Sequence, residues 1–111
     1  MNLVFSYGSL ADRFPNSFQE KCLFIGDYEI NTENIFVSLI PSEKSHITEG
    51  SLLYLTDEEL KKADKYEDTP NTFYREKMTI LTESLNEVQA WVYFSSSQQE
   101  PVSYKKLTTP T

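Results

Sequence analysis

The chain has 111 residues, enough for one domain that buries roughly 65% of its unfolded surface. Seventeen acidic against ten basic side chains give a formal charge of −7, and Lys61-Lys62 and Lys105-Lys106 are no more than short pairs, so nucleic acid is not an expected partner. Its apolar runs are far too short to span a membrane, the N-terminus lacks a basic-then-apolar leader, and the single Cys22 allows no internal disulfide, so a cytoplasmic protein without a membrane partner is expected.

Residues 2–6 read as a buried first strand around Leu3-Val4-Phe5. Tyr7-Gly8-Ser9-Leu10 follows directly. A strand ending in a tight, glycine-permitted turn presents several backbone N–H groups at the mouth of a sheet, as an anionic group requires. Residues 13–22 start turn-like at Phe14-Pro15, and a short helix capped by Asn16 or Ser17 is predicted there. Two β-like runs follow at 23–30 and 35–40, parted by polar Asn31-Thr32-Glu33-Asn34, and 41–46 is a predicted polar loop. The next strand covers 47–56, with Leu53 and Leu55 on one face and Leu52 and Tyr54 on the other.

Thr56-Asp57-Glu58-Glu59 is a capping box that opens a helix running to about Tyr66. Leu60, Ala63, Asp64 and Glu67 recur at three-to-four-residue spacing, which puts two carboxylates on the face packing toward the sheet. On the pattern alone, a solvated last-turn Glu is the commoner explanation of position 67. Thr69-Pro70-Asn71 ends the helix, and 73–82 with 87–94 form a hairpin in which Gln89, Trp91 and Tyr93 alternate with Ala90, Val92 and Phe94. An aromatic pair such as Trp91 and Tyr93 on one strand face is more often core than cavity wall. Residues 95–111 are Ser/Gln rich, then Pro/Thr rich. They read as a loosely packed tail to a 1–94 domain, although Val102, Tyr104 and Leu107 could lay a short segment along the body. His46 has no second His or Cys at ligand spacing, so no metal site is expected, and Cys22 reads as an inert core thiol rather than a nucleophile paired with His46. Strands mixed with two helices make an α+β fold.

Taken in this order, Tyr7-Gly8-Ser9-Leu10, Asp64-Lys65-Tyr66-Glu67 and Ala90-Trp91-Val92-Tyr93 resemble the gamma-glutamyl cyclotransferase-like family, and its short bacterial members most, over about residues 3–94. The resemblance implies a small mixed sheet curled toward a barrel, with two short helices at its side and a cavity at one end. It implies release of 5-oxoproline from a gamma-glutamyl amine or amino acid. That intramolecular acyl transfer needs no cofactor, because the substrate carries both reacting groups. By the same resemblance Glu67 is the catalytic acid/base, while Tyr7, Gly8, Ser9 and Leu10 hold the glutamyl α-carboxylate or the developing oxyanion.

Tyr74 is a further candidate for substrate binding, because family members often carry a Tyr-x-Arg pattern after the glutamate. If Arg75 anchors that pattern here, Phe73 takes the Tyr position and Tyr74 faces the other side of the pleat; if Tyr74 is the equivalent, Arg75 does not match. Gly50-Ser51-Leu52-Leu53 stands where many relatives have Gly-x-x-Tyr, and Asp68 replaces a frequent Gly. Asp64 either orients the substrate amine or caps a neighbouring loop. The expected partner is a small gamma-glutamyl substrate, and the expected state is a monomer or weak dimer. The alternative function is a non-catalytic module binding a small glutamyl-like carboxylate. A purely structural interaction domain would explain neither Glu67 nor the 7–10 loop.

Overall fold

The computed structural model of the chain describes residues 1–32 and 37–96. Strand β1 (Asn2–Ser6) leads into a 3-10 helix (Ser9–Arg13), then β2 (Gln19–Asn31), β3 (Ser38–Leu55), α1 (Asp57–Tyr66), β4 (Phe73–Thr82) and β5 (Glu87–Ser95). The strands close into a barrel in the order β1-β3-β2-β4-β5. β1 lies antiparallel to β3 and parallel to β5, so the sheet is mixed. The helix is far too short and polar to cross a membrane, and no helix among the described residues is long and apolar enough to do so.

Alternation along the strands builds two cores. Phe5, Phe24, Leu39, Leu52, Ile80 and Phe94 fill the barrel. Their neighbours Val4, Leu53, Leu55, Phe73 and Tyr93 point outward and are covered by Leu60 and Ala63 of α1 and by Leu10 and Phe14 around the 3-10 helix. Cys22 is in the barrel core, and burial, with Glu20 nearby, pushes its thiol up to about 12. Gly50 lets β1 and β3 approach: a Cβ there would collide with the Ser6 carbonyl oxygen and lie 2.7 Å from Phe5 Cε1.

The helix expected within 13–22 is absent. The helical turn lies earlier, at Ser9–Arg13, and the chain is extended from Gln19 because Gln19 already pairs with Leu53 of β3. The polar loop expected at 41–46 is instead an interruption inside β3. Gly26 pairs with His46 and Tyr28 with Pro41, so residues 42–45 face Asp27 alone. Such a bulge bends a strand without ending it. Ser42 stabilises it locally: its hydroxyl oxygen accepts from Lys44 N at 3.3 Å and lies 3.1 Å from His46 Nε2. Of the expected tail, Ser95 closes β5 and Ser96 N–H donates to Thr72 O at 3.0 Å. The expected segment at Val102, Tyr104 and Leu107 lies outside the described residues.

Candidate functional site

β1 delivers the 7–10 turn to one end of the barrel, and Ser6 fixes its shape. The buried Ser6 hydroxyl oxygen accepts from Ala11 N at 3.0 Å, clipping the start of the 3-10 helix to the strand end. Tyr7 turns its ring inward, 6.0 Å from Phe5. Its hydroxyl donates to Tyr93 O at 2.6 Å and accepts from Leu39 N at 3.3 Å. Among the described residues a Cβ built on Gly8 would meet only Val37 Cβ, at 3.9 Å. Ser9 Oγ lies 2.7 Å from Tyr66 OH, and Leu10 is buried under the helix.

The other wall comes from the end of α1. Thr56 Oγ1 accepts from Glu59 N at 3.2 Å and Glu59 Oε1 accepts from Thr56 N at 2.9 Å, so the helix starts at a fixed point. Leu60 and Ala63 seat it on the barrel, and Glu67 is its C-terminal cap, donating its N–H to Ala63 O at 2.9 Å. Asp68 then adopts φ 54°, the left-handed region that favours Gly. Its carboxylate recovers part of that strain by accepting from Thr72 Oγ1 at 2.8 Å and Asn71 Nδ2 at 3.4 Å.

Between these walls lies a cavity of about 490 Å³. Tyr7, Gly8, Ser9, Leu10 and Glu67 all line it, drawn together from distant parts of the sequence. The other described residues of the lining are Phe5, Ser6, Val37, Tyr66, Asp68, Thr72, Phe73 and Tyr93, and no Lys or Arg is among the described lining residues. No side-chain donor among the described residues is bonded to the Glu67 carboxylate. Burial alone pushes it from 4.5 up to about 7, so near neutral pH it can both take and give a proton. Its charge also contributes to raising Tyr7 and Tyr93, although burial is the larger cause for both phenols.

Tyr74 is placed apart from this group. It faces the barrel core on the opposite side of the pleat from Phe73, its ring 5.7 Å from that of Phe94, and Phe73 lines the cavity. Trp91 is also outside the lining, under the Arg75 guanidinium at 4.1 Å. Tyr93, by contrast, is both core and cavity wall. Asp64 does not face the cavity. Its carboxylate accepts from Arg75 Nε at 2.7 Å, Arg75 Nη2 at 3.1 Å and Tyr93 OH at 2.6 Å. Burial would raise Asp64, but these bonds outweigh it and hold the carboxyl below its usual range.

Ser6, Val37 and Tyr66 are lining residues that the sequence reading did not single out. Ser6 adjoins the 7–10 motif and Tyr66 lies within the 64–67 motif, so both could have been found from those motifs. Val37, just before β3, reaches the cavity through the tertiary fold, and no local pattern signals that. Among the described residues no three His, Cys, Asp or Glu side chains are grouped as metal ligands would be.

The family model described as gamma-glutamyl cyclotransferase, AIG2-like, matches residues 4–109. A protein of Methanocaldococcus jannaschii named "putative gamma-glutamylcyclotransferase" is 34% identical over 102 residues, covering 85% of this chain and 84% of that protein. A Drosophila melanogaster protein of the same description is 30% identical over 120 residues, covering 94% and 76%. Among solved structures, an AIG2-like protein from Mus musculus superposes with a TM-score of 0.70 at 18% identity, covering 87% of this chain and 78% of that one. An Arabidopsis thaliana protein does so at 0.74, with 18% identity and coverage of 93% and 67%. Both share the barrel fold.

Proposed function

This chain belongs to the gamma-glutamyl cyclotransferase, AIG2-like family, and from that membership we propose that it releases 5-oxoproline from a gamma-glutamyl amine or gamma-glutamyl amino acid, with Glu67 as general acid/base. The observation that carries the reading is Glu67 itself, a half-buried carboxyl with no side-chain partner among the described residues, lining the cavity and raised to about 7. A group so tuned suits proton transfer at neutral pH.

The substrate folds so that its α-amine meets its own γ-carbonyl, a proximity effect that needs no enzyme nucleophile. Glu67 takes a proton from the α-ammonium, and the freed amine attacks the carbonyl carbon. As the ring C–N bond forms, the old amide C–N bond breaks. Glu67 returns its proton to the departing nitrogen, and the ring nitrogen's second proton follows, leaving the lactam and a protonated amine. The 7–10 turn holds the α-carboxylate or the developing oxyanion. The leading amides of a helical turn have no acceptor inside it, which leaves those of Ser9 and Leu10 for that work. The Tyr7 hydroxyl is occupied by Tyr93 O and Leu39 N, so Tyr7 serves by its ring. Tyr74 acts behind the wall, through the barrel packing, rather than on the ligand.

The same reading takes the enzyme to be cytoplasmic and independent of cofactors, working as a monomer or weak dimer on a small-molecule substrate. Activity should therefore survive exhaustive chelation and dialysis, and loss that added zinc restores would overturn the cofactor-free step.

The test is a panel of gamma-glutamyl compounds incubated with pure protein, with 5-oxoproline followed by mass spectrometry. Glu67→Gln should lower kcat by at least about a hundredfold while 5-oxoproline still binds. A silent panel at high protein concentration, with ligand binding retained, would support a non-catalytic carboxylate-binding module instead.

A further inference from the structure

We propose that Asp64 and the Tyr93 hydroxyl are positioning residues, a buckle that fixes Glu67 relative to the 7–10 loop; the inference rests on Glu67 being the acid/base. Asp64 Oδ1 receives both Tyr93 OH at 2.6 Å and Arg75 Nε at 2.7 Å, and Oδ2 receives Arg75 Nη2 at 3.1 Å. The guanidinium is itself held 4.1 Å from the Trp91 ring centre. Both groups are unusual for their places. A carboxylate near a helix C-terminus faces the unfavourable end of the dipole, and Tyr93 is only 2% exposed yet directs its hydroxyl at that carboxylate. Bidentate pairing with Arg75 offsets the first cost, and the bond to Asp64 satisfies the buried phenol.

Glu67 lies three residues beyond Asp64, on the same side of the last turn. Its own tie to the helix is through the backbone, N–H to Ala63 O. Among the described residues the other side-chain links from that turn both run through exposed Tyr66, whose hydroxyl meets Ser9 and whose ring lies under the Arg13 guanidinium at 4.8 Å. Asp64 is therefore the part-buried, hydrogen-bonded anchor of the segment that carries the base. At the opposite side of the same residue, the Tyr93 carbonyl accepts from Tyr7 OH at 2.6 Å. One residue thus fastens the base through its side chain and the binding loop through its backbone.

The two fastenings can be cut separately. Tyr93→Phe removes the bond to Asp64 and leaves the loop fastened, whereas Tyr7→Phe removes the loop's bonds to Tyr93 O and Leu39 N and leaves the Asp64 bond in place. A loosened last turn would admit water to Glu67, whose raised proton affinity comes from burial and would relax toward that of a solvated Glu. The experiment measures kcat and KM from about pH 4 to 9 for wild type and both variants, and follows the Glu67 carboxyl by carbon NMR. Tyr93→Phe should lower kcat about tenfold with KM nearly unchanged, and should move the acid midpoint downward. Tyr7→Phe should raise KM and leave that midpoint in place.

Asp64→Ala removes the acceptor at the other end of the same bond, together with the pair to Arg75, and should repeat the Tyr93→Phe shift, which covers the case of one variant failing to fold. Arg75→Lys should keep more of kcat than Arg75→Met. Folded Tyr93→Phe and Asp64→Ala proteins with wild-type kcat and midpoint would overturn the buckle, as would identical losses from Tyr93→Phe and Tyr7→Phe. The NMR midpoint needs no turnover. A wild type that makes no 5-oxoproline would thus sink the cyclotransferase reading, while a lowered midpoint in Tyr93→Phe would still uphold the positioning role.

Discussion

At the scale of single residues, Glu67 links the chemistry of the site to the stability of the fold. Burial raises its folded carboxyl from 4.5 to about 7, so the native state binds an extra proton between those values and loses stability as pH rises through that window. The penalty is absent below about pH 4 and complete above about pH 7, reaching at most about 3 kcal/mol before solvent at the cavity mouth reduces it. Glu67→Gln carries no such charge. Its melting temperature should match wild type at acid pH and exceed it increasingly up to neutrality. A constant difference across pH would show that the carboxyl is solvated. Gly8→Val tests the facing wall. Among the described residues the only atom near a Cβ there is Val37 Cβ at 3.9 Å, so the variant should fold with a wild-type circular dichroism spectrum. The added side chain takes its volume from the cavity, and calorimetry should find 5-oxoproline binding lost. Glu67 and the 7–10 loop were legible because each breaks an expectation: a carboxylate on an inward helix face, and a Gly-Ser turn directly after an apolar strand. The Asp64–Tyr93 bond was not legible, because its partners are 29 residues apart and meet only in the folded barrel.

At the scale of elements, what could be read depended on whether the signal was local. α1 and the β4–β5 hairpin fall where the capping box and the alternation put them. β2 and β3 were harder. Pro41 and the polar run after it look like a loop, yet residues 42–45 are carried as an interruption within β3 because strand pairing resumes on both sides of them. The stretch before Cys22 has helix-capping residues, but tertiary pairing of Gln19 with Leu53 overrides local propensity. Gly50 shows how closely these strands are fitted. Gly50→Ala would drive a methyl group into the Ser6 carbonyl and the Phe5 ring, and should cost about 1–3 kcal/mol through strain between β1 and β3. Because Ser6 also clips the 7–10 turn, ligand affinity should fall along with the melting temperature. A variant as stable as wild type would mean that β1 and β3 part easily at this point.

At the scale of the whole molecule, charge and topology matter most. With a net charge of −7 and no Lys or Arg among the described lining residues, the approaching substrate meets a negative field. A gamma-glutamyl amino acid carries one more negative charge than a gamma-glutamyl amine. Its kcat/KM should therefore rise about two- to threefold as salt screens that field, while the value for the amine stays flat. Equal salt dependence for both would show that the field does not reach the cavity. Topology bears on how the protein is made. The barrel closes through the parallel contact of β1 with β5, and Tyr7 bonds Tyr93 across 86 residues. Contacts so distant in sequence carry a large loop-closure cost and form late. During synthesis the 7–10 turn emerges well before β5, and it lacks its anchoring carbonyl until β5 follows. A nascent chain therefore carries the turn for some 86 residues of growth with no formed pocket, and the pocket is completed in the step that seals the barrel.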